Sequence, residues 1–256
     1  KWLVIRVTCE DGTYGVGEGN FWSYADATEV IAKRLSGELK GVDSRNIERI
    51  WNEIYRKFSF RSPALTSVIS AIDLALWDIK GKRLGVPVWD LLGGKYRDKV
   101  RAIVLLGGKY GPTRNADEFA IAAKKAKTDG YTALKMTPLP QNWSKLPYPE
   151  LIRKSTEIVG AVRESVGWDF DIGIEIHRNM IPGEAIVFAK NIEKFLPYFY
   201  EDPIAPDSVQ SMANIADRIT IPLAVGERNN TMWEFREYSA IPGVRFLKPD
   251  IGLAGG

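Results

Sequence analysis

Three glutamates at regular spacing are the residues of this sequence with the clearest capacity for chemistry. Glu175, Glu201 and Glu227 follow one another at intervals of 26 residues, and each ends a run that is typical of a β-strand. Asp250 ends a fourth such run after a further 23 residues. One strand, one helix and two loops occupy about that length, so we expect the acids at the same point of successive strand–helix units.

The carboxyl ends of neighbouring parallel strands meet at one edge of a sheet, where the strands are about 4.8 Å apart. Three carboxylates that converge there repel one another, and a divalent cation removes this repulsion. Oxygen ligands favour a hard cation, and an open octahedral site with room for water and substrate favours Mg²⁺. Alternatively, each glutamate pairs locally, as single glutamates at strand ends commonly do. The equal spacing of all three favours the metal.

The only histidine of the chain, His177, lies two positions after Glu175. Residues i and i+2 of a strand share a face, so the imidazole is predicted beside a metal ligand. General acid–base catalysis needs a group in such a position. A lone histidine is more often packed or exposed without a chemical role, but the position of this one favours catalysis.

Lys135, at the end of another predicted strand, offers a second kind of chemistry. A barrel lysine can form a Schiff base with a carbonyl substrate, as in aldolases. Alternatively, its ammonium group attracts an anionic substrate or pairs with Glu175. We favour the electrostatic role, because Schiff-base chemistry does not need three carboxylates.

Three further residues are candidates for binding a substrate. Arg178 and Arg228 lie next to the proposed acid–base and metal-binding residues and could clamp a substrate carboxylate, or pair with neighbouring acids. Trp22 could form part of a lid over the site or belong to the core.

The first hundred residues have the pattern of an α+β domain, with a hairpin first and helices afterwards. The hairpin is predicted over residues 2–18, where two apolar runs flank the turn Glu10–Gly12. The second predicted helix has Asp43 or Ser44 as its candidate N-cap. The helices are predicted over residues 24–35, 43–58 and 62–84.

From residue 99 onward predicted strands and helices alternate, which indicates parallel strands joined by crossover helices. Either an open doubly wound sheet or a (β/α)₈ barrel has this alternation. No glycine-rich nucleotide-binding motif follows the first of these strands, which weakens the open sheet. The strands are predicted over residues 100–106, 131–136, 170–176, 198–201, 223–227 and 244–248, and the helices over residues 116–128, 150–166, 183–196, 208–219 and 232–238.

Composition excludes several classes of protein. The 256 residues include 35 Lys+Arg and 32 Asp+Glu, and the formal charge of +3 indicates neither nucleic acid nor a membrane surface as a partner. The single cysteine, Cys9, excludes a disulfide scaffold. Without a long apolar run or a signal peptide, we expect a cytoplasmic protein. The chain starts at Lys1 without Met and stops at Gly256 in a predicted loop, so we expect a longer parent protein.

Six motifs distributed along the chain carry a family resemblance. They are Val16–Gly19, Ser70–Lys82, Pro87–Gly94, Tyr200–Pro203, Gly226–Arg228 and Lys248–Gly256. With them the chain resembles the mandelate racemase/muconate lactonizing enzyme branch of the enolase superfamily. The resemblance implies an α/β fold, a modified TIM (β/α) barrel over residues 99–256, with an N-terminal α+β capping domain over residues 1–98. It also implies that the chain contains about six barrel strands and lacks the opening strand of the capping domain.

The resemblance further implies that Glu175, Glu201 and Glu227 hold Mg²⁺, in agreement with their spacing. In this superfamily a base removes a proton α to a carboxylate, and Mg²⁺ stabilises the resulting enediolate. Racemases of the family carry Lys-x-Lys at the second strand, whereas Thr137 replaces the second lysine here. The run Glu175-Ile-His177 resembles the Asp-x-His of acid-sugar dehydratases, in which the histidine protonates the departing β-hydroxyl. The glutamate at 175 lengthens that ligand by one methylene.

The implied function is a Mg²⁺-dependent dehydratase of a sugar acid of the gluconate or galactonate type, which yields a 2-keto-3-deoxy acid. Asp250 occupies the position of an aspartate that pairs with the abstracting histidine of strand seven, and the chain ends at Gly256, before such a histidine. A racemase or cycloisomerase, opposed by Thr137, and an inactive paralogue are the alternatives. The implied partner is a small-molecule sugar acid, and the family is often multimeric, so we expect a homo-oligomer.

Overall fold

The computed structural model describes residues 2–57 and 62–256, and their contacts group into two compact units. The first unit comprises Lys1–Lys99, Glu227–Arg236 and Pro249–Gly256, and the second comprises Val100–Gly226 and Glu237–Lys248. The domain boundary predicted after residue 98 is based on the order of the elements in the sequence. The two units are instead defined by contacts between residues, so the first unit also includes two later segments. Within the described residues, no helix combines the length and the apolar character needed to cross a membrane.

The first unit begins with an antiparallel hairpin, which confirms the hairpin predicted for residues 2–18. Strand β1 (Leu3–Thr8) pairs with β2 (Tyr14–Gly19) along their whole length. Four helices follow the hairpin in the described part of residues 1–99, so the unit has the predicted α+β order. They are α1 (Ala25–Leu35), α2 (Ile47–Lys57), α3 (Pro63–Leu84) and α4 (Val88–Leu91).

Helix α2 differs from its prediction at its amino end. Asp43 and Ser44 are the predicted N-caps, but the helix begins at Ile47. Oδ1 of Asp43 instead accepts a hydrogen bond from the backbone N–H of Arg45 at 3.0 Å, within a turn ahead of the helix. The N-cap prediction is wrong, because short polar side chains stabilise such turns as well as helix caps. The predicted last residue, Phe58, lies outside the described residues.

Helix α3 lies against the hairpin. Ser62 caps it by accepting a hydrogen bond from the backbone N–H of Leu65 at 3.3 Å, and Gly85, with a φ of +69°, ends it. The backbone of β2 packs directly on the helix, since a Cβ atom at Gly17 would lie only 2.0 Å from the backbone oxygen of Ala71. Glycine is therefore required at this position of the hairpin.

The substitution Gly17→Ala is expected to lower the free energy of unfolding by about 3 kcal/mol, because the methyl group forces the strand away from the helix. Equilibrium urea unfolding measures the loss. Gly37→Ala is the matched control, because the nearest atom to its Cβ, the backbone oxygen of Arg34, is 4.0 Å away. We expect the control to stay within about 0.5 kcal/mol of the wild type. Equal effects of the two substitutions would contradict the close packing.

Six parallel strands in sequential order form the sheet of the second unit. A doubly wound sheet reverses its strand order part-way, so the uninterrupted order confirms the predicted barrel topology through six strands and excludes the open sheet. The strands are β3 (Val104–Leu105), β4 (Ala133–Met136), β5 (Asp171–Glu175), β6 (Phe199–Glu201), β7 (Leu223–Val225) and β8 (Val244–Leu247). The helices of this unit are α5 (Ala116–Thr128), α6 (Tyr148–Val166), α7 (Pro182–Ile192) and α8 (Val209–Ala216). A further helix, α9 (Met232–Ser239), is divided between the two units after Arg236.

Helix α5 shows how local sequence determines these elements. Asn115 caps it by accepting a hydrogen bond from the backbone N–H of Glu118 at 3.0 Å. Its apolar residues recur at helical spacing and are buried, which places one face of the helix in the core of the second unit. These buried residues are Phe119, Ala122, Ala123 and Ala126. The predicted bounds of this helix are confirmed at both ends.

Candidate metal and acid–base site

Two buried glutamates stand side by side at the carboxyl ends of β5 and β6. The parallel register pairs Glu175 with Glu201, so the predicted equivalence of these two strand ends is confirmed. Glu175 is 6% exposed, and Glu201 is fully buried. Two like charges buried next to each other are unfavourable unless positive charge compensates them.

Two lysines supply this positive charge. Nζ of Lys135, from β4, lies 2.8 Å from Oε2 of Glu175 and 3.1 Å from Oε1 of Glu201. Lys248, which directly follows β8, forms an ion pair with the same Oε1 of Glu201. No role is predicted for Lys248 from the sequence: its position immediately after a strand places it near a sheet edge, but nothing local pairs it with Glu201, 47 positions away.

The environment of Lys135 favours an electrostatic role. Burial alone would lower the pKa of its ammonium group, but the hydrogen bond to Glu175 and the charge of Glu201 outweigh burial and raise this pKa. Schiff-base formation requires a neutral amine, whereas these contacts stabilise the charged form. The aldolase alternative is therefore disfavoured by the carboxylates around the lysine.

One oxygen of Glu201 has an unusual environment. Oε2 is buried and has no hydrogen-bond partner among the described residues. A buried acceptor without a partner costs about 1–3 kcal/mol, and a carboxylate oxygen costs more than a neutral one. A cation ligated at Oε2 would remove this cost. Glu175 ends the neighbouring strand at the same level, and Asp202 has a carboxylate oxygen within 4.8 Å of one of Glu201, so oxygen donors that fit a hard divalent cation surround this position.

Glu227 lies beyond its strand and not at the strand end. Strand β7 ends at Val225, and Gly226 then adopts a φ of +120°, which an extended strand does not use. In the sheet register Glu201 is level with Ala224, so the equal sequence spacing does not correspond to an equal position along the strand. The prediction of Glu227 as a strand end is therefore wrong. Its Oε1 lies 3.4 Å from Nε of Arg228.

His177 reaches the neighbourhood of Glu175 by a turn and not by strand alternation. β5 ends at Glu175, and both His177 and Arg178 have positive φ values, +54° and +66°. The predicted shared strand face is therefore wrong. One ring nitrogen of His177 nevertheless lies within 4.8 Å of a carboxylate oxygen of Glu175. Left-handed conformations are unfavourable for residues other than glycine and are frequent at functional sites.

Contacts with Asp202 hold this turn in place. The backbone N–H of Arg178 donates to the backbone oxygen of Asp202 at 2.8 Å, and its guanidinium Nη1 lies 3.4 Å from Oδ2 of the same residue. Of the two predicted roles of Arg178, the ion pair with a neighbouring acid is present. A carboxylate oxygen of Asp202 also lies within 4.8 Å of one of Glu201. No role is predicted for Asp202 from the sequence, although it directly follows a predicted ligand.

Two other predicted residues, Asp250 and Trp22, lie in the first unit. Strand β8 ends at Leu247, ahead of Pro249, which has no N–H to donate. Asp250 is therefore not a strand end, and that prediction is wrong. Its Oδ2 accepts a hydrogen bond from Nδ2 of Asn20 at 2.6 Å. Trp22 is 71% exposed, which excludes the core interpretation and leaves the lid as a prediction.

Comparison with protein families agrees with this arrangement. Residues 118–256 match the family described as enolase C-terminal domain-like. Residues 1–93 match the family described as mandelate racemase/muconate lactonizing enzyme, N-terminal domain. The chain belongs to the enolase superfamily. Its two matched segments assign it to the mandelate racemase/muconate lactonizing enzyme branch, so the resemblance seen in the sequence motifs is confirmed.

Individual proteins of known sequence or structure are similar to this enolase superfamily chain. The D-galactonate dehydratase of Pectobacterium atrosepticum is 31% identical over 257 residues, which cover 100% of this chain and 66% of that protein's length. A member of the enolase superfamily from Salmonella Typhimurium has a TM-score of 0.91 at 31% identity, covering 99% of this chain and 70% of the other. The 3,6-anhydro-D-galactonate cycloisomerase from Zobellia galactanivorans has a TM-score of 0.84 at 30% identity, covering 100% and 68%.

Proposed function

We propose that the protein is a Mg²⁺-dependent sugar-acid dehydratase that converts a substrate of the gluconate or galactonate type to a 2-keto-3-deoxy acid. The observation that carries the proposal is the buried Glu201, whose Oε2 lacks a partner among the described residues while Glu175 lies beside it. The similarity to a D-galactonate dehydratase supports the reaction type and favours a galactonate as substrate. The chain spans 66% of the length of that relative, so the proposal concerns the whole protein.

Three carboxylates would hold the cation in this proposal. Glu175 and Glu201 come from neighbouring strand ends, and Glu227 comes from the segment after β7. When bound, the cation would act as a Lewis acid that stabilises negative charge on the substrate carboxylate as the α-proton leaves. The ammonium group of Lys135, which lies between two of these carboxylates, would attract the same anionic substrate.

The acid–base roles are assigned to two residues. His177 would donate the proton with which the β-hydroxyl group departs as water. Its ring nitrogen near Glu175 supports this role. Asp250 would be the carboxylate that pairs with a histidine of strand seven of the whole protein. That histidine would remove the α-proton. Arg178, Arg228 and Trp22 remain proposals as residues that bind the substrate.

A cycloisomerase is the second candidate function. The cycloisomerase from Zobellia galactanivorans shares the fold, so the fold alone does not separate the two reactions. Thr137 opposes a racemase, because a lysine would act as the base there. A dehydratase releases water and yields a 2-keto-3-deoxy acid, whereas an isomerase yields a product of unchanged composition. The product therefore distinguishes the candidates.

A screen of the purified full-length protein tests the proposal. We expect turnover of at least one hexonate, with galactonate and gluconate tested first, and a 2-keto-3-deoxy product detected by mass spectrometry. EDTA should abolish turnover and added Mg²⁺ should restore it, whereas a Schiff-base aldolase would survive EDTA and be trapped by borohydride at Lys135. Failure of gluconate, galactonate and their epimers in the presence of Mg²⁺ would refute the dehydratase and favour an inactive paralogue.

Light scattering during purification tests the expected homo-oligomer.

A further inference from the structure

The segment after β8 belongs to the first unit and is hydrogen-bonded to earlier residues of that unit near both of its ends. At its start, Asn20 is bound twice: its backbone N–H donates to the oxygen of Gly252 at 2.8 Å, and its side-chain amide donates to Oδ2 of Asp250 at 2.6 Å. At its end, the indole N–H of Trp51 donates to the oxygen of Gly255 at 2.6 Å. All of these residues belong to the first unit.

The Asp250 carboxylate has one neutral donor on each oxygen. Oδ2 accepts from the Asn20 amide, and Oδ1 accepts from the backbone N–H of Gly252 at 3.0 Å. The sheet does not orient this side chain, because β8 ends at Leu247. The Gly252 bond is local to the turn, so the Asn20 amide is the donor that fixes the carboxylate relative to the rest of the first unit.

The close approach of the two segments leaves little freedom for this contact. A Cβ atom at Gly252 would lie 3.0 Å from Cβ and 3.2 Å from the backbone nitrogen of Asn20. The absence of a side chain at Gly252 therefore lets the turn approach Asn20 closely enough for both hydrogen bonds. A neutral amide also leaves the negative charge of Asp250 in place, which a lysine or arginine would neutralise.

We propose that Asn20 is a positioning residue, which orients the carboxylate of Asp250 for its part in α-proton removal. This inference rests on the proposed function, in which Asp250 belongs to the acid–base pair. Asn20 touches no substrate in this account and acts through Asp250 alone. Displacement of a reacting group by about 1 Å can cost about 10²-fold in rate.

Steady-state kinetics of the full-length protein provide the first test. Asn20→Ala should lower kcat by about 10²-fold and leave KM within about twofold, because orientation for proton transfer and not substrate binding is lost. Asn20→Asp keeps the shape but replaces the donor by a carboxylate, and should be at least as damaging. Asn20→Asp with wild-type kcat would overturn the inference.

Trp51→Phe is the matched control, because it removes a hydrogen bond to the same segment, at Gly255, and keeps an aromatic ring in place. It should retain kcat. If Trp51→Phe and Asn20→Ala lower kcat equally, Asn20 only anchors the segment and the inference is overturned. Circular dichroism confirms that each variant folds.

A double-mutant cycle of unfolding provides a readout that does not depend on turnover. Asn20→Ala, Asp250→Ala and the double variant are unfolded in urea, and we expect the two single effects to be clearly non-additive. Additive effects would overturn the inference. If the wild type dehydrates no sugar acid, the proposed function fails, and the cycle alone decides whether Asn20 positions Asp250: coupling supports it and additivity overturns it.

Discussion

Replacing Glu201 by glutamine is expected to lower kcat for sugar-acid dehydration by about 10³-fold or more. A Lewis-acid metal contributes several kcal/mol of transition-state stabilisation, and each 1.4 kcal/mol corresponds to a factor of ten. Glutamine keeps the shape of the side chain but removes the charge of a fully buried residue that we propose as a ligand. We expect Mg²⁺ affinity, measured by isothermal titration calorimetry on EDTA-treated protein, to fall with kcat.

The control for this substitution is the same chemical change on an exposed helix. Glu157 lies on α6 and pairs with Arg153 at the surface, so Glu157→Gln should leave both kcat and Mg²⁺ affinity unchanged. Glu175→Gln should resemble Glu201→Gln, because the register places the two carboxylates side by side. Unchanged Mg²⁺ affinity in the Glu201 variant would show that the cation, if it binds, is held elsewhere.

Loss of folding must be separated from loss of the metal in this experiment. Without its charge, position 201 no longer compensates Lys135 and Lys248, both of which contact Oε1 of Glu201. Removing one member of a buried ion pair leaves an uncompensated charge and can cost 3–5 kcal/mol. The midpoint of urea unfolding is therefore measured for each variant without Mg²⁺. Mg²⁺ affinities are compared only under conditions in which each variant is folded.

The alternation of strands and helices, and with it the barrel topology, could be predicted because those signals are local. In α5 the cap residue Asn115 and the spacing of the buried residues lie within a few positions of one another, and the predicted bounds are those of the structure. The shared level of Glu175 and Glu201 was also predictable, because β5 and β6 both end at the acid itself.

The positions of Glu227 and Asp250 could not be predicted by counting residues. Equal spacing assumes equal lengths of strand, helix and loop, whereas the register sets Glu201 level with Ala224. The glycine at 226 and the proline at 249 each end the extended conformation before the acid is reached. A turn residue close to a predicted strand end is therefore a better guide to the boundary than the acid beyond it.

The conformation at His177 depends on contacts that are distant in sequence. The strand prediction extended to residue 176, and alternation was then applied one residue beyond it. The backbone N–H of Arg178 instead bonds to the oxygen of Asp202 on the neighbouring strand's continuation, 24 positions later. Only the sheet register brings these two segments together. For the same reason the ion pair between Lys248 and Glu201, 47 positions apart, had no local signal.

Replacing His177 by asparagine is expected to lower kcat for dehydration by about 10²–10⁴-fold, because it removes the group that we propose as the general acid for β-hydroxyl departure. Asparagine is the suitable replacement because residue 177 has a φ of +54°, a conformation that asparagine adopts more readily than alanine. The α-proton is removed by another group in the proposed mechanism. We therefore expect the variant to exchange the α-hydrogen of recovered substrate for deuterium in D₂O, as measured by proton NMR.

Retained exchange with lost dehydration separates the role of His177 from the other roles that its position permits. A ring nitrogen within 4.8 Å of Glu175 could also ligate the cation, in which case His177→Asn would weaken Mg²⁺ binding as Glu201→Gln does. Loss of exchange together with dehydration would make His177 the α-base or a metal ligand. Dehydration at the wild-type rate would show that His177 takes no part in the reaction. If the His177→Asn variant shows unchanged Mg²⁺ affinity, retained exchange of the α-hydrogen and slow loss of the β-hydroxyl, only the role of general acid explains all three results.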